Sequence, residues 1–105
     1  MDNQEKERKI HTLQMLEHNL QQILLQKQAF EMELRETQSA LKEIEKSGDE
    51  VFKIIGQMMI KTDKKTMVSD LANKEKLIDL RIKNFEKQER SISEKIEEMQ
   101  KEISK

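Results

Sequence analysis

The chain has 105 residues, of which 39% are charged and 34% hydrophobic, with no Pro, Trp, Tyr or Cys. So little apolar material cannot fill a round core, yet it recurs periodically, which argues for long helices rather than disorder. The 20 basic and 21 acidic residues interleave to a net charge of −1, leaving no basic run for phosphates and making nucleic acid an unexpected partner.

The absence of cysteine rules out disulfides and thiolate metal sites and fits an intracellular protein. No apolar run approaches the ~20 residues of a membrane span. The polar start, Met1-Asp2-Asn3-Gln4, is not a secretory signal, so the expected compartment is cytoplasmic.

The first element is a helix over about 4–47. One apolar set falls every seven residues, at Leu13, Leu20, Lys27, Leu34 and Leu41. The second follows three residues after each, at Leu16, Ile23, Phe30, Thr37 and Ile44. Eight of those ten positions are apolar, the seam of a coiled coil. At 1.5 Å per residue such a helix is ~65 Å long, more than a compact domain of this size can hold. Ser47-Gly48-Asp49 should end it, with Gly48 as the left-handed residue just past the end.

Val51 to Lys61 breaks the heptads. It is rich in β-branched and aromatic residues, and the spacing predicts a β-hairpin over about 51–62 that turns at Gly56-Gln57, with Gly56 at positive φ. A two-stranded hairpin is marginal alone in water, its open edges invite further strands, and the rest of the chain offers none. Other copies are therefore expected to complete the sheet.

A second helix is expected over about 64–104, capped by Asp63, Thr62 or Thr66. Its seam runs through Leu71, Ile78, Phe85, Ile92 and Met99, interleaved with Val68, Glu75, Ile82, Glu89, Ile96 and Ile103. Two helices of near-equal length around a short insert fold back antiparallel, each covering the other's stripe. Two registers are compatible: one opposes residues whose numbers sum to 112, such as Leu13 and Met99, and the other sums to 119. The fold class is thus mostly α, one domain over 1–105, a long antiparallel two-helix coiled coil with one β-hairpin inserted between the helices.

Little else carries chemistry. Lys27, Thr37, Glu75 and Glu89 interrupt the seam and are read as setting register, with Lys27 in reach of Glu89. His11 and His18 lie opposite the seam, where neither a metal nor an acid–base partner converges on them. With no phosphate loop and no nucleophile beside an oriented base, no enzyme, catalytic residue, metal site or cofactor is expected. Met15, Leu24, Leu25, Met32, Leu77 and Leu80 fall outside the seam. Each alone is ordinary exposed apolar surface. Together with fraying seam ends they make an adaptable sticky surface, and Leu77 and Leu80, nearer the hairpin, suit packing against neighbouring subunits.

Together these pieces resemble the β-type subunits of archaeal prefoldins over essentially the whole chain. The most specific likeness is Val51-Phe52-Lys53-Ile54-Ile55-Gly56 continuing to Met59-Ile60-Lys61, similar to the family's aliphatic-aromatic-Lys-x-aliphatic-Gly stretch and its following strand. Ala40-Leu41-Lys42-Glu43-Ile44 resembles the end of the family's first helix. Leu80-Arg81-Ile82 with Phe85-Glu86-Lys87-Gln88-Glu89 resembles its second, where Phe85 replaces a more usual leucine. Only about 17 residues separate Gly48 from Thr66, room for the single hairpin of a β-type chain rather than the two of an α-type one.

The resemblance implies a hexamer of two α-type and four β-type subunits, whose hairpins assemble into a double β-barrel with the coiled coils hanging as tentacles. It implies ATP-independent holding of non-native proteins and their delivery to a group II chaperonin. The assembly hairpin would be Val51, Phe52, Lys53, Ile54, Ile55, Gly56, Met58, Met59 and Ile60. Client-binding tips would be Ile10, Leu13, Met15, Leu16, Met99 and Ile103, and chaperonin contacts Lys101, Glu102 and Lys105. The competing reading is a structural coiled-coil spacer, which gives no reason for the strand pair. A third, an arm that docks RNA, needs a basic stripe that the balanced charge does not supply.

Overall fold

The computed structural model describes residues 2–105 as α1 (Asn3–Glu45), β1 (Glu50–Ile55), β2 (Met58–Asp63) and α2 (Lys64–Ser104). The first helix opens on Asp2, whose Oδ1 accepts the Glu5 backbone N–H at 2.8 Å. That cap satisfies one of the donors a helix start leaves orphaned, and Glu5 in the first turn suits the positive end of the dipole. The Asp-x-x-Glu spacing is its signal, and it sets the start ahead of the expected Gln4.

The end of α1 corrects the sequence reading. Gly48 does not take the left-handed conformation; Gly56, at φ 59°, is the glycine that does. Instead the last turn tightens, with the Lys46 N–H bonding the Glu43 carbonyl and the Ser47 N–H the Ile44 carbonyl, both at 3.1 Å. The Ser47 hydroxyl donates to the Ile44 carbonyl at 2.7 Å. The Lys64 ammonium reaches across to the Glu45 and Ser47 carbonyls at 3.1 and 3.2 Å. With these carbonyls satisfied, and a cation at the negative end of the dipole, no left-handed glycine is required.

Of the three candidate caps for α2, Asp63 does the work: its Oδ1 accepts the Thr66 N–H at 2.6 Å. Hydrogen bonding from the Thr66 side chain and then from its backbone N–H holds the Asp63 carboxyl below its ordinary range, so it stays ionised as a cap.

The contacts group the chain into two compact units, Met1–Ala29 with Ile82–Lys105, and Phe30–Arg81. In each, a stretch of α1 runs antiparallel to a stretch of α2. In the unit Phe30–Arg81 the innermost residues are Thr37, Ile44 and Ile78, exposed by only 3%, 7% and 4%. The Thr37 hydroxyl donates to the Glu33 carbonyl at 2.8 Å, so this buried polar seam residue is satisfied within its own helix. The Arg81 guanidinium lies 5.6 Å from the Phe30 ring centre, a cation–π contact. In the other unit Ile82 is buried, and the Lys27 ammonium donates to Glu89 Oε2 at 3.1 Å with both side chains mostly shielded. Lys9 pairs with Glu102 at 3.2 Å nearer the termini. Every seam position named from the heptads is buried or half-buried.

One ion pair decides the register in the unit Phe30–Arg81. Lys74 Nζ lies 3.4 Å from Glu33 Oε1. In the register summing to 119, Glu86 stands opposite Glu33, about 18 Å along the helix from Lys74 and out of reach. In the register summing to 112, Asp79 stands opposite, about 7.5 Å away, a gap two leaning side chains close. The register summing to 112 is the one formed in this unit. Of the residues read as outside the seam, Met15, Leu25, Met32, Leu77 and Leu80 are exposed, but Leu24 is half-buried. It follows the seam residue Ile23 by about 100° of helix turn, and an apolar stripe this wide takes in that flank.

Burial decides where truncation hurts. Ile78→Ala is expected to destabilise the isolated chain by about 2–5 kcal/mol. Leu80→Ala, on a side chain 63% exposed, should stay within about 0.5 kcal/mol. Denaturant titration followed by circular dichroism at 222 nm (a helix signal) checks both, and equal effects would contradict the seam.

Candidate functional site

The hairpin is built by its residues. Val51, Phe52, Ile54, Ile55 and Ile60 favour extended backbone, and Gly56-Gln57 forms a two-residue loop. Gly56 at φ 59° followed by a residue at negative φ fits a type II′ turn, whose twist matches that of the strands. A Cβ at Gly56 would meet nothing within 4 Å, so the demand for glycine is conformational rather than steric.

Pairing runs from Glu50 opposite Asp63 to Ile55 opposite Met58. Since directly opposed residues share a face, one face carries Glu50, Phe52, Ile54, Met59, Lys61 and Asp63. The other carries Val51, Lys53, Ile55, Met58, Ile60 and Thr62. Both faces are apolar in the middle and both lie open. Phe52, Ile54, Ile55, Met58, Met59 and Ile60 are all exposed, Ile54 by 70%. Six large apolar side chains on twelve strand residues, all facing water, is the reverse of what a finished sheet shows.

The backbone is unfinished too. The Lys64 N–H bonds the Asp49 carbonyl at 2.9 Å, which fixes the phase of the ladder. Alternation then makes 51 with 62, 53 with 60 and 55 with 58 the hydrogen-bonded pairs. The N–H and C=O groups of Phe52 and Ile54 on one edge, and of Met59 and Lys61 on the other, point outward. No third strand meets them among the described residues.

At the hairpin base an open apolar groove of ≈ 470 Å³ is lined by Ala40, Ile44, Val51, Phe52, Ile54, Met67 and Leu71, with Glu43, Ser47 and Lys53 at its polar margin. The sequence reading named neither Met67 nor Ala40 as site residues. Each precedes a seam residue, Val68 or Leu41, and that flanking position was the available signal. The tip candidates divide. Ile10 and Met15 are exposed, whereas Leu13, Leu16, Met99 and Ile103 are half-buried in the seam. Of the three C-terminal candidates Lys101 and Lys105 are exposed, and Glu102 is held by Lys9.

Among the described residues no group of three or more His, Cys, Asp or Glu is placed to hold a metal, and no helix is long and apolar enough to cross a membrane.

Comparison with known proteins agrees with this geometry. A family model described as "Prefoldin subunit" matches residues 7–105. The chain is 33% identical over 94 residues to the prefoldin subunit beta of Sulfurisphaera tokodaii, covering 88% of this chain and 75% of that one. It is 34% identical over 93 residues to that of Methanothrix thermoacetophila, covering 87% and 78%. Among solved structures, the prefoldin beta subunit from Thermococcus strain KS-1 superposes with a TM-score of 0.87 at 32% identity, covering 94% of this chain and 89% of that one. Two long helices around a single unfinished hairpin, matched along nearly their whole length, place this chain in the prefoldin family, among its β-type subunits.

Proposed function

We infer that this chain is a subunit of an ATP-independent chaperone, working in a prefoldin complex with other subunits. The observation that carries the reading is the hairpin: two open edges and six exposed large apolar side chains between two long helices. A plain spacer has no use for such a strand pair, and its exposure in an isolated chain would be an aggregation hazard. In the proposed complex the hairpins of two α-type and four β-type subunits close β-barrels. The coiled coils then present their free ends to non-native proteins and pass them to a group II chaperonin in the cytoplasm. No ATP or cofactor chemistry is needed. Weak apolar contacts from several subunits add up through effective concentration, and the charged outer faces of the helices keep the complex soluble.

For the client-holding end, Ile10 and Met15 are the first candidates because both are already exposed. Leu13, Leu16, Met99 and Ile103 have a second task, closing the seam, and become available as the ends fray. Lys101, Glu102 and Lys105 are assigned to the chaperonin, with the Glu102–Lys9 pair weak enough at this exposure to be exchanged for a new partner.

Two outcomes test the reading. Light scattering on the chain mixed with an α-type prefoldin subunit should give a discrete species of about six chains; persistence of monomers or dimers would return the spacer. In that assembled complex, Ile10→Ser with Met15→Ser should weaken suppression of aggregation of a heat-denatured model protein severalfold without changing the mass. Undiminished suppression would remove these two residues from the client surface.

A further inference from the structure

The two faces of the hairpin differ in one respect that apolarity hides. On the first face Lys61 is neutralised by Glu50 across the strands at 2.8 Å. On the second, Lys53 stands among Val51, Ile55, Met58 and Ile60, with no hydrogen-bond or ion-pair partner among the described residues. Glu43, at the margin of the same groove, pairs with Lys46 instead.

We propose that Lys53 selects the partner of this sheet face: the face accepts a strand or hairpin of a different subunit that carries a carboxylate opposite Lys53, and resists a second copy of this chain. The inference rests on the assembly reading above and deepens it. Covering the face removes water from the ammonium, which is tolerated only where a carboxylate or several acceptors replace the lost hydration. A second copy laid like face to like face offers no carboxylate to Lys53, because its strand carboxylates, Glu50 and Asp63, both lie on the opposite face. Laying the face against itself would bring a second unpaired Lys53 into the same dry space. Lysine on an otherwise sticky edge hairpin is a recognised guard against self-pairing, and here it leaves one permitted occupant, a chain of opposite charge.

The experiment compares the wild-type chain with Lys53→Arg, Lys53→Met and Lys53→Glu, each alone and each titrated with an α-type prefoldin subunit, by sedimentation and native mass spectrometry. Lys53 is exposed in the isolated chain, so helix content by circular dichroism should be the same in all four. Lys53→Arg should bind the α-type subunit like the wild type. Lys53→Met should lose about tenfold in that affinity and gain about tenfold in self-association, and Lys53→Glu should lose more than Lys53→Met. Methionine and glutamate variants that bind the α-type subunit and self-associate as the wild type does would overturn the inference while leaving the assembly reading intact. A wild-type chain that does not bind the α-type subunit at all would overturn both.

Discussion

A two-stranded sheet with no further strand on either edge among the described residues is the constraint on which this protein turns. The outward N–H and C=O groups of Phe52, Ile54, Met59 and Lys61 meet no third strand among the described residues, and the side chains above and below them are mostly apolar and exposed. Neither condition is costly while the hairpin stays hydrated. Both become binding surface once strands from other chains arrive, because backbone pairing and apolar burial then act together. Everything around the hairpin serves to present it. Ser47 and the Lys64 ammonium finish α1, Asp63 begins α2, and the bond from Lys64 to Asp49 joins strand ladder to helix start.

The helices follow a different economy. Few of their side chains are buried deeply, since each helix has one neighbour to lean on, and the seam is mostly half-buried. Stability therefore comes from many modest contacts at 3.5-residue spacing. The seam also tolerates polar residues. Thr37 is satisfied by its own helix, and Lys27 meets Glu89 near the surface, where both heads keep part of their hydration. Such positions fix orientation and register more than they add strength.

Much of this was legible in the sequence because periodicity is a global signal. A heptad sustained through Leu13 to Ile44 and again from Val68 to Ile103 survives polar interruptions, and a β-branched run ending in Gly56 stands out against it. The misreadings were local. Gly48 looked like a left-handed helix end, but the Lys64 ammonium, distant in sequence, took over carbonyls that the turn at a left-handed glycine would otherwise have bonded. Leu24 looked outward on a heptad wheel but sits on the flank of the stripe. The register needed one long-range pair, Glu33 with Lys74, which no repeat encodes. The groove at the hairpin base was hidden for the same reason, since Ala40, Met67 and Phe52 meet only once the chain has folded back. Lys53 was read as part of a motif; that it lacks a partner is visible only after strand pairing assigns it a face.

The central claim is that other chains complete the edges of this hairpin, and amide hydrogen exchange read residue by residue tests it most directly. In the isolated chain the Phe52, Ile54, Met59 and Lys61 amides should exchange much faster than those of Val51, Lys53, Ile55 and Ile60, which bond within the hairpin. After assembly with an α-type prefoldin subunit, the outward amides on every edge that gains a strand should slow by at least about tenfold, approaching the inward set. If assembly forms and all four outward amides still exchange as in the isolated chain, the hairpin is not the joint and the account is wrong.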